Sequence, residues 1–362
     1  MRPSAALGAL AALLLVVLGA GLLLAPHPRP HAPPPERKIK LAVLVVFDQM
    51  RGDYLARWRP LFGPDGFKRL TSEGAWFTHC HYPYGVTTTG PGHASMLTGA
   101  CADAHGIVNN DWVEDGHARY CAGDPKYWFV PGTKPAKDKN AGTPERLRSE
   151  TVADVLKEAH GPRAKVFGLS LKDRSAILPT GKRPDGAYWF EGGKFGTSTY
   201  YAERVRPWVE AFNDSKFADR WFGRDWTAFR PDVDYAHWTG CADDTRGEGR
   251  GAGAKGHQGV AFPHPTTGGK PAVGPEYYEA LATSPFGNDL LLALAKRCIE
   301  EEELGADDVP DLLVVSFSSN DLIGHAWGPD SHEVLDVTLR SDALMADFCA
   351  FLDAKVGRGQ YL

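Results

Sequence analysis

The chain lacks any long run of lysine or arginine, and its 40 basic residues are outnumbered by 45 acidic ones, for a formal net charge of −5. A basic surface for nucleic acid is therefore excluded as an expectation. None of the six cysteines stands in a C-x-x-C spacing, so the sequence offers no thiolate metal site. The glycine-rich "EGRGAGAKG" lacks both the G-K-[ST] ending of a phosphate loop and a flanking strand, so it is not read as a nucleotide cradle. Low hydrophobicity is absent too: 43% hydrophobic against 23% charged residues place the chain among globular proteins with material for a large core.

One long apolar run is present. Residues 5–25, "AALGALAALLLVVLGAGLLLA", follow Arg2 and precede the proline-rich "PHPRPHAPPPERK". Residues 1–25 are read as an export signal or an uncleaved N-terminal anchor, and residues 26–39 as a spacer. The protein is expected to be periplasmic or secreted, with the inner membrane engaged only through residues 5–25. No cysteine lies near the run for lipid attachment. In an oxidising compartment the even cysteine count permits disulfides, and Cys101 with Cys121 is the first pairing expected.

Beyond the spacer the pattern is α/β. "LAVLVVF" (Leu41 to Phe47) reads as a strand buried on both faces and ends at Asp48. "KVFGLSL" ends at Lys172, and "DLLVVSF" leads through two serines to Asn320 and Asp321. Helical patterns separate them, over 143–160, over "SPFGNDLLLALAKRCIEEEEL" and from about His332 to Val356. The last presents Val337, Leu344, Phe348 and Leu352 on one face, with Asp336, Asp342, Asp347 and Asp353 largely elsewhere. The expected fold is a mostly parallel central sheet with helices on both faces. Three strands that each deliver a polar residue at the carboxyl end predict one shared site there. Residues 185–274, rich in Gly, Trp and Tyr, read as inserted loops or a small cap with a mobile glycine-rich part.

"YGVTTTGPGHASMLTG" reads as a turn into a helix, with Pro91 suited to its first position. Thr89 then lies at a helix N-terminus, as a cap or as a hydroxyl placed to become an alkoxide. Asp321 and His325, four apart, share one face of a helical turn and offer an oxygen and a nitrogen to one metal; solvated side chains are the other reading. Asp48 and Thr89 offer oxygens to a second ion, and metal coordination is one way to activate a threonine hydroxyl.

The set "FDQMRGDYL", "TTTGPGHASMLTG", "HGIVNNDW", "SLKDRSAILPTGK", "DGAYWF" and "SSNDLIGHAWGP" resembles the alkaline phosphatase superfamily in order and spacing. It looks most like the PafA-type periplasmic phosphate monoesterases with a threonine nucleophile, and more distantly like nucleotide pyrophosphatase/phosphodiesterases. The resemblance covers residues 40–362 and implies an alkaline-phosphatase-like catalytic domain with two zinc ions per complete site. It implies that Asp48 and Thr89 bind one zinc, that Thr89 attacks phosphorus to give a phosphothreonine, and that Asp321 and His325 bind the other zinc. Asn110, Lys172 and Arg174 would hold the phosphoryl oxygens of a small-molecule phosphoester. His93 and His105 are expected to be structural, and Asp173 to point away. The family's further zinc ligands, an Asp-His-Gly motif and a later histidine, have no counterpart here. The end at "KVGRGQYL" reads as the beginning of an apolar strand, and the C-terminal part as missing. A phosphodiesterase or nucleotide pyrophosphatase, and a truncated inactive or phosphate-binding protein, are the alternatives.

Overall fold

The computed structural model describes residues 38–132, 141–244, 249–252 and 256–362. The expected signal or anchor and nearly all of the spacer lie outside these, as does part of the glycine-rich stretch. Residues from Ile39 onward form one compact unit. Among the described residues no helix is long and apolar enough to cross a membrane.

Strands β1 (Leu41–Phe47), β2 (Phe129–Val130), β3 (Val166–Ser170), β4 (Gly186–Glu191), β5 (Lys194–Ser198) and β6 (Asp311–Phe317) form a sheet in the order β1-β6-β3-β4-β5-β2. The first four pair in parallel, and β5 and β2 close the far side antiparallel. Register aligns Phe47 with Phe317 and Ser316 with Ser170, so β1, β6 and β3 end side by side.

The main helices are α1 (Thr89–Thr98), α2 (Val152–His160), α3 (Asp173–Ile177), α4 (Pro285–Glu301), α5 (Ser319–Trp327) and α6 (His332–Leu352). Alternation along β6 shows that both faces are covered. Leu313, Val315 and Phe317 join the core containing Leu290 and Leu294 of α4 and Val337, Leu344 and Phe348 of α6. Leu312 and Val314 pack on the other face with Ala153 of α2, beside half-buried Leu97 and Leu156. All seven residues of β6 are buried, as its apolar run implies. β1 departs from that expectation: only Leu41 and Val46 are buried, because it stands at the margin of the sheet. Its outer edge is met by the last residues, Val43 N donating to Leu362 O (2.7 Å) and Leu362 N to Leu41 O (2.9 Å), in the extended pairing expected of Tyr361 and Leu362.

Several expectations are corrected. The helix expected over 143–160 begins only at Val152, where Thr151 and Asp154 form a reciprocal capping box that fixes the start. With that start the helix turns Ala153 and Leu156 inward, and Val152 and Val155, two of the apolar residues in the 143–160 pattern, are 59% and 54% exposed. The insertion expected over 185–274 starts too early, since β4 and β5 belong to the central sheet. The remainder contributes Trp208, Trp221, Trp226 and Tyr235 to the main core. All six cysteines are free. Cys121 does not pair with Cys101 because it is buried with Ala94 and Ile107, its sulfur directed toward Gly90.

The last helix ends at Leu352, followed by a wider turn over Asp353–Gly357. Asp336 and Asp342 are buried, against the expectation that they lie off the apolar face. Asp342 accepts from Gly63 N and Phe67 N, both at 2.7 Å. Asp336 accepts from Trp226 Nε1 (2.7 Å), Phe229 N (2.6 Å), Tyr235 Oη (2.7 Å) and Arg340 Nε (2.7 Å), which ties the middle of the chain to α6. Asp336→Ala strands these donors, and a loss of about 3 kcal/mol or more is expected in urea denaturation. A loss under about 1 kcal/mol would show the network to be dispensable.

Candidate active site

At the end of β1, Asp48 N still donates to Phe317 O (3.1 Å), so the ladder fixes the aspartate's backbone. Gln49 follows in the left-handed region (φ 62°) and turns the chain. Its side-chain amide lies where a Cβ on residue 324 would fall, so Gly324 lets α5 approach the end of β1 closely.

Thr89 opens α1, with Thr88 in the extended cap position. Pro91 is therefore the third helical residue, not the first. Neither threonine caps through its side chain: Thr88 Oγ1 donates to Asn109 Oδ1 (2.8 Å), and Thr89 Oγ1 to Asp48 Oδ2 (3.4 Å). The free N–H of Gly90 is taken instead by Asn110 Oδ1 (2.7 Å). A Cβ at Gly90 would stand 3.1 Å from that oxygen, so glycine permits the approach. With its oxygen committed, Asn110 has its Nδ2 left to donate.

Lys172 precedes α3, and its Nζ donates to Asp48 Oδ2 (2.8 Å) and to Asp321 Oδ2. Asp321 lies in the first turn of α5 and His325 one turn later, with Nε2 of His325 3.3 Å from Asp321 Oδ1. Both carboxylates are 11% exposed and His325 is 70% exposed, so the imidazole is at the open rim. Asn288 of α4 anchors the start of α5, accepting from Ser319 N (3.3 Å) and donating to Asn320 Oδ1 (2.9 Å).

Asp48, Thr89, Asn110, Asp321 and His325 line one cleft of about 600 Å³. Arg174 is set back from it, its Nη1 donating to Tyr120 Oη (3.2 Å). Asp173 accepts from Tyr120 Oη, the same hydroxyl that Arg174 Nη1 meets, so it does not point away from Arg174 as expected. It is the first residue of a helix, since β3 ends at Ser170 and strand alternation does not govern it. His93 and His105 are both held by internal hydrogen bonds. His93 is buried between Thr89 O (2.9 Å) and Ser316 Oγ (2.8 Å), and burial holds its pKa below the usual imidazole range. His105 Nε2 meets Ser95 Oγ (3.0 Å), and its Nδ1 accepts from Ile107 N (3.1 Å).

Burial opposes ionisation of Asp48, but the Lys172 ammonium, with His93 and Arg174, outweighs it and lowers the carboxyl pKa. A lowered folded pKa contributes stability above the ordinary value of about 3.8 that is lost as pH falls through the folded value. Compared with Asp48→Asn, wild type should therefore lose urea resistance more steeply below about pH 3.8. Parallel curves would remove this contribution.

The donors in the cleft, two carboxylates, an imidazole and a hydroxyl, suit a divalent cation in kind, and the structure already sets a cation, Lys172, between the carboxylates. In number they fall short. Among the described residues no three His, Cys, Asp or Glu side chains converge on one metal position.

The family model for type I phosphodiesterase / nucleotide pyrophosphatase matches residues 42–361. The chain belongs to that family. Two curated relatives of this phosphodiesterase/pyrophosphatase family member are alkaline phosphatase PafA of Elizabethkingia meningoseptica, 39% identical over 89% of the chain, and alkaline phosphatase PhoV of Synechococcus elongatus, 37% identical over 89%. The chain spans 58% and 57% of their lengths. A crystal structure of wild-type PafA superposes with a TM-score of 0.81 at 37% identity, covering 91% of this chain and 62% of that one. A second PafA structure, with the same TM-score, is a mutant in which Thr is replaced by Ser and Asn, Lys and Arg by Ala, at positions separated by 21, 62 and 2 residues.

Sequence reasoning missed Gln49, Tyr120 and Asn288 as supporting residues. A glutamine directly after the strand-end aspartate, facing a glycine on α5, leaves no signal except in three dimensions. The same holds for a tyrosine at the foot of a hairpin.

Proposed function

We propose that this chain carries the nucleophile, the phosphoryl contacts and part of the metal ligands of a phosphate monoesterase that works through a covalent phosphothreonine at Thr89. The observation that carries this reading is the convergence of Asp48, Thr89, Asn110, Asp321 and His325 on one cleft, with Lys172 reaching into the same carboxylates. The alkaline phosphatase relatives support it. So does the PafA mutant, whose four substituted positions have the three spacings that separate Thr89, Asn110, Lys172 and Arg174 here.

Thr89 Oγ1 attacks phosphorus as the ester P–O bond breaks and the alcohol leaves, and water then cleaves the phosphothreonine to release inorganic phosphate and restore the hydroxyl, whose proton is directed at Asp48 Oδ2 in the free site. Asp48 is held ionised by Lys172 and is a weak base, so the alkoxide depends on positive charge more than on proton removal. A zinc ion held by Asp48 and Thr89, and a second held by Asp321 and His325, would supply that charge at the attacking and leaving oxygens. Asn110 Nδ2, Lys172 and Arg174 hold the oxygens in which charge spreads during transfer. Residues 40–362 serve as the catalytic region, and residues 1–25 as the signal or anchor that takes the protein to the periplasm or beyond.

The family model's own description favours a phosphodiesterase or pyrophosphatase as the second reading. Assay of the full-length protein with zinc on an aryl phosphate monoester and the matching diester separates the two, and acid quenching during monoester turnover should trap phosphate on the Thr89 peptide. Preference for the diester would transfer the assignment to the second reading. Absence of a phosphorylated Thr89 peptide under steady-state turnover on the monoester would remove the covalent step.

With two donors for each ion, where zinc sites use at least three protein ligands, residues 40–362 alone should bind zinc weakly and turn over little substrate. Isothermal titration checks this, and tight uptake of two zinc ions would contradict it.

A further inference from the structure

The hairpin Asp111–Glu114 and His117–Tyr120 starts directly after Asn110, and its register pairs Asp111 with Tyr120. Cys121 N, one residue beyond Tyr120, donates to Asn110 O (2.9 Å). The foot of the hairpin thus carries Asn110 on one leg and Tyr120 on the other. Asn110 is tied to α1 through Gly90 N. Tyr120 reaches α3, where its hydroxyl gives its one hydrogen to Asp173 Oδ1 and accepts from Arg174 Nη1 (3.2 Å).

That allocation is directional. Asp173 Oδ1 also accepts from Arg174 N (2.7 Å), so the carboxylate is fixed to the start of the helix and draws the Tyr120 hydrogen toward itself. The lone pair left on Oη then faces the guanidinium. Burial, and then the Asp173 carboxylate, push the Tyr120 pKa well up, so the hydroxyl keeps its proton. No other hydrogen bond of the Arg174 guanidinium is present among the described residues, and its Nε is buried without a partner. Anchored at Nη1, the side chain keeps the Nε and Nη2 edge for a two-oxygen acceptor, and a buried unpaired donor gains most when one arrives.

We propose that Tyr120 is a positioning residue for phosphoryl binding, which acts by holding Arg174 through Nη1 so that its remaining edge is presented to a tetrahedral oxyanion. This rests on the reading of Arg174 as a phosphoryl contact. The test uses full-length, zinc-loaded protein and measures competitive inhibition by inorganic phosphate together with kcat/KM on a monoester, for Tyr120→Phe, Arg174→Ala and the double variant. Tyr120→Phe is expected to weaken phosphate inhibition roughly tenfold, as for one hydrogen bond to a charged group, and to add nothing once Arg174 is alanine. An equal loss in both backgrounds, or unchanged phosphate inhibition, overturns the inference and leaves Arg174 in place. If Arg174→Ala alone leaves phosphate inhibition unchanged, the assignment of Arg174 falls and that of Tyr120 with it. Should Tyr120→Phe not fold, Asp173→Asn keeps the shape but removes the charge that draws the hydroxyl hydrogen. It is expected to weaken phosphate inhibition only where Arg174 is present, and a loss independent of Arg174 overturns the inference.

Discussion

Thr89→Ala in the full-length protein is expected to lower kcat on a phosphate monoester by on the order of 10⁴-fold or more, the scale seen when a nucleophile is removed from a hydrolase. Folding should be nearly untouched. Thr89 is the first helical residue and Thr88 the cap, and the Thr89 hydroxyl makes one long hydrogen bond, 3.4 Å to Asp48. Even full loss of a cap costs only about 1 kcal/mol. Thr89→Ser keeps an oxygen in place and should retain turnover. An alanine variant with near wild-type kcat and an intact fold would require another nucleophile.

Removing Lys172 and Arg174 together is expected to lower kcat/KM for a monoester by roughly 10³-fold or more, at about 1.4 kcal/mol per tenfold, and by far less for a diester. A monoester brings more unsubstituted, charged oxygens than a diester, so it gains more from cationic donors beyond the metals. The structure gives the two cations different starting points. Lys172 is spent on Asp48 and Asp321 in the free site, whereas Arg174 keeps most of its donors unused. The single variants should therefore differ. Lys172→Ala leaves two carboxylates facing each other without a counter-charge and should lower the melting temperature of the metal-free protein, and Arg174→Ala should not. Equal losses on monoester and diester would favour the phosphodiesterase reading.

The frame of the site was legible because it follows from local pattern. Apolar runs ending at Asp48, at Lys172 and before Asp321 mark strands whose carboxyl ends gather, and β1, β6 and β3 are neighbours. What the sequence concealed depends on contacts between distant segments. Asp336 and Asp342 look like solvated helix charges until Trp226, Tyr235 and the turn at Gly63 are brought against them. The start of α2 was misplaced because Leu147, buried yet outside any helix, continues the apolar spacing, while the Thr151–Asp154 box that sets the boundary is a weaker pattern. The hydrogen bond that ties Arg174 to Tyr120 could not be read from its place two residues after Lys172, since Tyr120 comes from a distant hairpin.

The placing of β6 between β1 and β3 sets an order of events during biosynthesis. Lys172 is separated from Asp48 by 124 residues and from Asp321 by 149. At about 5–20 residues per second of synthesis, the ribosome needs roughly 7 to 30 seconds to proceed from the lysine to the second aspartate. For that interval β1 and β3 are complete while the strand that joins them does not exist. An apolar, valine-rich β1 with both edges open is then a target for pairing with another chain, so yield from recombinant expression should depend on holdase chaperones acting before Asp311 is made.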